Sequence, residues 1–164
     1  YRAIPYITVA PASVWKTKQF PVHKWIAFIE AIESQLTIYI IGGPDDIKLG
    51  NEIQQQTHSG VVNLCGTLNL LQSAALMEGA LMNYMNDSAP MHLASAMNAP
   101  TTAIFCSTIP AFGFGPLADD RTVIESDQKL TCRPCGIHGS KGCPEKHFNC
   151  AEKISVKSLA ARLP

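Results

Sequence analysis

The stretch TIYIIGGPDDIKLGNEIQQQ, residues 37–56, contains one complete strand–turn–helix unit. Its first five residues, Thr37 to Ile41, are β-branched or aromatic and predict a strand. The turn Gly42 to Asp46 ends this strand and places two acidic side chains in the first turn of a helix that runs to about Gln56. A strand followed directly by a helix is the repeating unit of a parallel sheet, so this stretch indicates an α/β fold.

Short apolar runs and longer amphipathic runs alternate on both sides of this unit. Further strands are predicted at Tyr6–Ala10, Val61–Leu64, Leu81–Met85, Thr101–Phe105 and Val123–Ile124. Further helices are predicted by the spacing of Trp25, Ile26, Ile29, Ile32 and Glu33, from about Asn69 to Glu78, around Leu93, and from about Ser155. The pattern predicts one three-layer α/β domain over residues 1–164, with a mostly parallel sheet and helices on both faces.

Length and charge restrict the classes of protein to which the chain can belong. It has 164 residues, with 13 basic and 13 acidic side chains and a formal net charge of zero. This balance argues against the basic surface of a dedicated nucleic-acid binder, so no nucleic-acid partner is expected. No apolar run approaches the roughly 18 residues of a membrane span, so at most peripheral membrane association is expected. Because the chain opens at Tyr1 without a methionine, we expect a piece of a longer protein.

The segment from Asp87 to His92 lies where a predicted strand ends and a predicted helix begins. In an open parallel sheet, ligands bind in the crevice beyond the carboxyl ends of the strands. Pro90 suits a first helical turn and Ser88 can cap it, so the helix N-terminus can face a phosphate with a carboxylate and an imidazole beside it. The alternative is that Asp87 and Ser88 only cap the helix and that His92 is a packed core histidine.

Four of the six cysteines and two histidines lie close together near the C-terminus. They are Cys132, Cys135, Cys143, Cys150, His138 and His147. These side chains supply enough soft ligands for tetrahedral zinc, and the alternative is a set of reduced, partly buried thiols in a compact loop. The site prediction includes neither a metal nor a cofactor. Cys65 and Cys106 adjoin predicted strands and are expected to be small core residues.

Five motifs follow one another along the chain. They are Ala10-Pro11-Ala12-Ser13 with Lys18-Gln19-Phe20-Pro21, Ile41-Gly42-Gly43-Pro44-Asp45-Asp46, the segment 63–70 (NLCGTLNL), the segment 86–94 (NDSAPMHLA), and the Cys132-Arg-Pro-Cys135…Cys143-Pro144…His147…Cys150 tail. Together they resemble, in the same order, the C-terminal half of the bacterial ADP-heptose:lipopolysaccharide heptosyltransferases. Each motif alone is weak, but the resemblance covers nearly the whole chain, and five motifs in order argue against coincidence.

The resemblance implies that the chain is the Rossmann-like C-terminal half of a GT-B glycosyltransferase, the half that holds most of the nucleotide-sugar donor. By position, Lys18 would approach the donor phosphates and Ser13 would lie beside them. Asp46 would accept hydrogen bonds from the ribose hydroxyls, and Leu68 would line the adenine slot. From the residues alone, Lys18 could instead be a solvated loop lysine and Asp46 a first-turn acid that interacts with the helix dipole.

The same resemblance assigns the pyrophosphate and the sugar to Asp87, Ser88, the Ala89 backbone N–H and His92. The implied reaction transfers a heptose, or a related sugar, from an ADP-sugar to a hydroxyl of the lipopolysaccharide core. In the family the base is an aspartate of the N-terminal domain, so no catalytic residue is expected in this chain and the acceptor would be reached through that missing domain. The implied location is the bacterial cytoplasm, at the inner face of the inner membrane.

The chain departs from the family pattern in ways that keep a second function open. Ala89 replaces the usual glycine, and Ile109 follows Thr108 where many members have Pro-Thr-Asp-Pro. Thr67 and Asn69 replace commoner residues in the adenine segment. The alternative is therefore a non-catalytic, zinc-stabilised binding or interaction module on the same fold.

Overall fold

The computed structural model describes residues 4–32, 36–57 and 60–163. A six-stranded sheet runs through these residues, and every pair of neighbouring strands in it is parallel. The strands are β1 (Tyr6–Ala10), β2 (Thr37–Ile40), β3 (Val61–Asn63), β4 (Asn83–Asn86), β5 (Thr101–Ile104) and β6 (Arg121–Ile124). Their order across the sheet is β3-β2-β1-β4-β5-β6, the order of the doubly wound Rossmann fold, which confirms the predicted fold class.

Helices cover both faces of the sheet, as predicted. They are α1 (Val22–Glu30), α2 (Ile47–Gln55), α3 (Leu70–Glu78), α4 (Ala89–Ala96), α5 (Asn149–Glu152) and α6 (Val156–Ala160). One core cluster joins the sheet to α1, α2, α5 and α6, and a second joins it to α3 and α4. Successive residues of β1 divide between them, with Ile7 and Val9 in the first cluster and Tyr6 and Ala10 in the second. This division follows from the alternation of side chains along a strand.

The predicted first and last residues of β4 are wrong. The apolar pattern predicts Leu81–Met85, whereas the strand begins at Asn83 and ends at Asn86. Both asparagines are buried, and their side chains are fully engaged. Asn83 Oδ1 accepts the Thr8 hydroxyl at 2.5 Å, and Asn86 Nδ2 donates to the Pro11 carbonyl at 2.6 Å. Because these bonds satisfy the amides inside the sheet, polar residues occupy a strand that their low β-propensity argues against.

The predicted helices begin and end within a few residues of their predicted bounds. Asn69 caps α3 in a reciprocal pair with Gln72: each side chain accepts the other's backbone N–H at 2.9 Å. Helix α1 ends at Glu30, and Ile32 is buried just beyond it. Glu33, the last residue of the predicted helical pattern, lies outside the described residues.

The chain after β6 returns to the sheet through residues 132–150, here called the cysteine-rich segment, and then through α6. Helix α5, which the sequence analysis does not predict, begins at Asn149, at the end of this segment. Two hydrogen bonds attach the C-terminal helices to the first core cluster: Lys24 Nζ donates to the Ile154 carbonyl at 2.7 Å, and the Tyr84 hydroxyl donates to the Leu159 carbonyl at 3.2 Å. Within the described ranges, none of the helices has the length and apolar character needed to cross a membrane.

Candidate functional site

A cleft of about 650 Å³ opens at the carboxyl edge of the sheet. Residues that follow β1 and β4 form part of its wall, so it lies where the strand order reverses. This reversal point is where open α/β sheets bind their ligands. Five of the eight predicted site residues line the cleft: Ser13, Asp46, Leu68, Ser88 and Ala89.

The turn after β2 forms one wall of the cleft and orients Asp46. Asp46 Oδ2 accepts the Gly43 backbone N–H at 2.8 Å, so the acid stabilises its own turn. A Cβ placed on Gly42 would lie 2.7 Å from Asp46 Oδ2 and 3.1 Å from Cys65 Sγ. Only glycine therefore fits at residue 42 without moving the Asp46 carboxylate, whose other oxygen remains available to a hydroxyl donor.

An apolar slot continues from Asp46 towards α3. Leu68, Leu70 and Met77 line it, together with Ser73. Leu68 is half-buried against the second core cluster, whereas Leu70 is 70% exposed. A flat aromatic group that entered this slot would be desolvated against leucine and methionine side chains.

The N-terminus of α4 forms the opposite wall. Ser88 is at the N-cap position, but its hydroxyl does not cap the helix: it donates to the Asn86 carbonyl at 3.3 Å. The interpretation of Ser88 as a capping side chain is therefore wrong. Pro90 has no N–H, and the Met91 N–H donates to the Ser88 carbonyl at 3.0 Å, so the Ala89 N–H is the first-turn donor that remains beside the cleft, together with the positive end of the helix dipole.

Lys18 and Asp87 form an ion pair behind this wall rather than in the lining of the cleft. Lys18 Nζ lies 2.7 Å from Asp87 Oδ2, and the two side chains are 15% and 7% exposed. The Thr108 hydroxyl donates to the same Asp87 oxygen at 2.6 Å. The alternatives in which Lys18 is a solvated loop lysine and Asp87 a helix cap are both wrong. An ammonium group has three donors, so this pair leaves two for a phosphate oxygen at the cleft.

His92 occupies a different position from the other predicted site residues. It is exposed on α4 and does not line the cleft. Met91 and Ala94, its neighbours on the helix, are the residues that pack into the second core cluster. The alternative in which His92 is a packed core histidine is therefore wrong.

The cysteine-rich segment surrounds a second cavity, of about 400 Å³, which Cys132, Cys135, Cys143, Cys150 and His147 line. Cys132 Sγ lies 4.0 Å from His147 Nε2. Among the residues that the structure describes, no three histidine, cysteine, aspartate or glutamate side chains are arranged to hold a metal ion. All six cysteines are free thiols, and zinc binding stays one of two alternatives, which elemental analysis can test.

Burial determines the acidity of the less exposed thiols. It raises the pKa of Cys150 to about 11, and the neighbouring Cys135 and Cys143 add to this effect. Burial likewise raises the pKa of Cys65 to about 12, and Asp46 adds to this effect. These thiols are protonated at neutral pH and are weak nucleophiles. Cys65 and Cys106 belong to the first core cluster, as predicted.

Sequence reasoning did not identify two residues that support the Lys18–Asp87 pair. Thr108 binds Asp87 directly, and Thr17, which is 2% exposed, precedes Lys18. The available signal for Thr108 was its place just after β5, at the same edge of the sheet as the cleft. The chain offers no comparable local signal for Thr17, because its hydrogen-bond partners are far away in sequence.

Comparisons with known proteins agree on a family. The pattern of Glycosyltransferase family 9 (heptosyltransferase) matches residues 2–160. Lipooligosaccharide heptosyltransferase 2 of Haemophilus influenzae is 30% identical over 126 residues, which are 73% of this chain and 36% of that protein. Lipopolysaccharide heptosyltransferase 3 of Escherichia coli is 30% identical over 107 residues, which are 63% of this chain and 32% of that protein.

Solved structures share the fold. The E. coli ADP-heptose LPS heptosyltransferase II matches with a TM-score of 0.73 and 25% identity, over 98% of this chain and 46% of that one. A family 9 glycosyl transferase from Veillonella parvula matches with a TM-score of 0.80 and 20% identity, over 99% of this chain and 45% of that one. The chain thus spans less than half the length of each of these relatives.

Proposed function

Because the chain belongs to glycosyltransferase family 9, the heptosyltransferase family, we propose that it is the donor-binding domain of such an enzyme. The proposed reaction transfers a heptose, or a related sugar, from an ADP-sugar to a hydroxyl of the lipopolysaccharide core. The observation that carries the proposal is the convergence of Ser13, Asp46, Leu68, Ser88 and Ala89 on one cleft at the carboxyl edge of the sheet.

The chemistry of the cleft supports one orientation of the donor. An apolar slot at Leu68 suits an adenine ring, and the Asp46 carboxylate suits the ribose hydroxyls. The diphosphate then extends towards the N-terminus of α4, where Ser88 and Ala89 lie. We propose that Lys18, whose partner Asp87 directly precedes the N-cap residue Ser88, binds the phosphates with the ammonium donors that Asp87 does not use.

The leaving group determines what this half of the enzyme contributes to the reaction. As the sugar departs, negative charge develops on the diphosphate, and a lysine together with a helix N-terminus stabilises that charge without a metal. Deprotonation of the acceptor hydroxyl requires a base, which the family resemblance assigns to an aspartate of a separate N-terminal domain. We therefore propose that the partners are an ADP-heptose-like donor in this cleft and a lipopolysaccharide acceptor held by that domain, at the cytoplasmic face of the inner membrane.

Calorimetric titration with ADP tests the proposal. We expect saturable binding to the chain, and we expect Leu68→Ala to weaken it by about 1 kcal/mol, because three carbon atoms worth about 0.8 kcal/mol each when fully buried are lost from a side chain that is half-buried. Leu71→Ala is the matched control, since Leu71 is 80% exposed and does not line the cleft. Equal effects of the two substitutions on ADP affinity would contradict the placement of the adenine ring in this slot.

The same titration separates the donor-binding proposal from the alternative of a non-catalytic module. Ala89 favours the module, because it adds a methyl group where the family has glycine and this residue lines the cleft. The Ala89→Gly variant restores the family residue. If neither the chain nor this variant binds ADP while zinc is found in stoichiometric amount, the module is the better assignment.

A second expected result is that the chain alone does not transfer sugar. The reason is that the base and the acceptor surface are proposed to lie on another domain. The measurement is release of ADP from ADP-heptose in the presence of a lipopolysaccharide acceptor, with a full-length family member as the positive control. Transfer by these 164 residues alone would contradict the division of roles between two domains.

A further inference from the structure

The cysteine-rich segment is hydrogen-bonded to the loop that carries Lys18 at a buried side chain, Thr17. The Thr17 hydroxyl donates to the Ser140 carbonyl at 3.2 Å and accepts the Ser140 N–H at 2.7 Å. It also accepts the Ser107 hydroxyl at 3.0 Å, and the Thr17 N–H donates to the Ser140 carbonyl at 3.1 Å. These bonds join three parts of the chain: the loop after β1, the loop after β5 and residues 139–140 of the cysteine-rich segment.

Gly139 brings the cysteine-rich segment against Lys18 itself. Its φ of +79° is a left-handed conformation that side chains disfavour. A Cβ at this residue would lie 3.0 Å from Thr17 Oγ1 and 3.3 Å from Lys18 Cγ. The backbone of the segment therefore packs directly on the aliphatic stem of the lysine, which limits the directions that its ammonium group can take.

The segment also supports the other member of the ion pair. Arg133 Nη2 donates to the Thr108 carbonyl at 2.7 Å and to the Phe105 carbonyl at 3.2 Å. Because the Thr108 hydroxyl binds Asp87, this arginine holds the backbone of the residue that orients the carboxylate. Both halves of the Lys18–Asp87 pair are thus attached to the same segment.

We infer that Thr17 is a positioning residue through which the cysteine-rich segment holds the Lys18 ammonium against Asp87 and so sets the affinity of the cleft for a diphosphate. The affinity part rests on the proposed function; the positioning part does not. Lys18 follows Thr17 directly, so the bonds that anchor Thr17 also fix the origin of the lysine side chain. A group held in place before the ligand arrives loses less conformational entropy on binding.

The positioning part is tested by acetylation of the folded chain with an N-hydroxysuccinimide ester, followed by mass spectrometry of each lysine. Thr17→Val keeps the shape of the side chain but removes every hydroxyl bond, and we expect Lys18 to be acetylated severalfold faster in it. Thr17→Ser keeps the hydroxyl and should restore the slow rate. Lys16, which is exposed, is the internal reference.

Thr101→Val is the matched control for a loss of stability. Thr101 is fully buried on β5, and its hydroxyl donates to the Ala99 carbonyl at 2.8 Å, at the sheet edge opposite to the cleft. An unchanged Lys18 rate in Thr17→Val would overturn the inference. The inference would also be overturned if acetylation became faster at all lysines of Thr17→Val, by the same factor as in Thr101→Val. Thr17 would then have only a structural role.

Titrations with ADP and with adenosine test the affinity part. We expect Thr17→Val to weaken ADP binding about tenfold, which corresponds to 1.4 kcal/mol, and to leave adenosine binding unchanged. An equal loss for both ligands would contradict a role at the phosphates. If the chain without any substitution does not bind ADP, the proposed function and the affinity part fail together. The acetylation rates still decide whether Thr17 positions Lys18.

Discussion

Replacement of Asp87 by alanine is expected to lower the free energy of unfolding by about 3 to 5 kcal/mol, the cost of removing one partner from a buried ion pair. The Asp87 side chain is 7% exposed. It forms an ion pair with the Lys18 ammonium and accepts a hydrogen bond from the Thr108 hydroxyl. Without the carboxylate, a charge and a hydroxyl lose their partner in a site that admits little water. Urea denaturation followed by circular dichroism measures the change.

Two further variants make this prediction specific. Asp87→Asn keeps an oxygen acceptor for Thr108 and should cost less than Asp87→Ala. Asp120→Ala removes an acid from an ion pair with Arg162 in which Asp120 is 57% exposed, so it should cost about 1 kcal/mol or less. If Asp87→Ala costs no more than Asp120→Ala, the Lys18–Asp87 pair does not behave as a buried pair.

Replacement of Lys18 by alanine is expected to weaken ADP binding by about 1 to 3 kcal/mol, the range for a hydrogen bond to a charged group. The structure adds a reason to expect the upper part of this range. The Lys18 ammonium is the partner of the Asp87 carboxylate, so its removal takes away both an attraction for the proposed diphosphate and the group that offsets the nearby acid. Calorimetry with ADP, at a temperature where the variant is still folded, measures the loss.

The neighbouring lysine provides the control for this measurement. Lys16 lies two residues earlier, is exposed, and contacts the Gln19 side chain at 3.3 Å, so Lys16→Ala should leave ADP binding nearly unchanged. Lys18→Arg keeps the positive charge and should retain part of the affinity. Unchanged ADP affinity in Lys18→Ala would exclude Lys18 from the phosphate site.

The parts of the fold that the sequence predicts well are those with strong local signals. The run Thr37 to Ile41 predicts β2 to within one residue, and Asn69 marks the start of α3 through bonds to its own first turn. Strand β4 was misplaced because its asparagines are satisfied by residues remote in sequence, such as Thr8 and Pro11. A propensity scale has no access to such partners.

The candidate site shows the same limit. The motifs identified Asp46, Leu68 and Ser88 near the cleft, because residues that follow successive parallel strands meet at one edge of the sheet. They did not reveal that Lys18 and Asp87 bind each other, or that Ser88 leaves the helix uncapped. Those outcomes depend on distances between side chains, which the order of residues does not contain.

The amino-acid sequence by itself determined the alternation of strands and helices, and hence the sheet edge at which a ligand site forms, because hydrophobic periodicity and turn residues act over a few neighbouring positions. The tertiary structure alone decided which polar groups meet there. Thr17 and Ser140 are 123 residues apart, and they form their hydrogen bonds only because the chain returns after β6 to the loop that follows β1. Burial then makes these contacts strong, since water no longer competes for the same donors and acceptors.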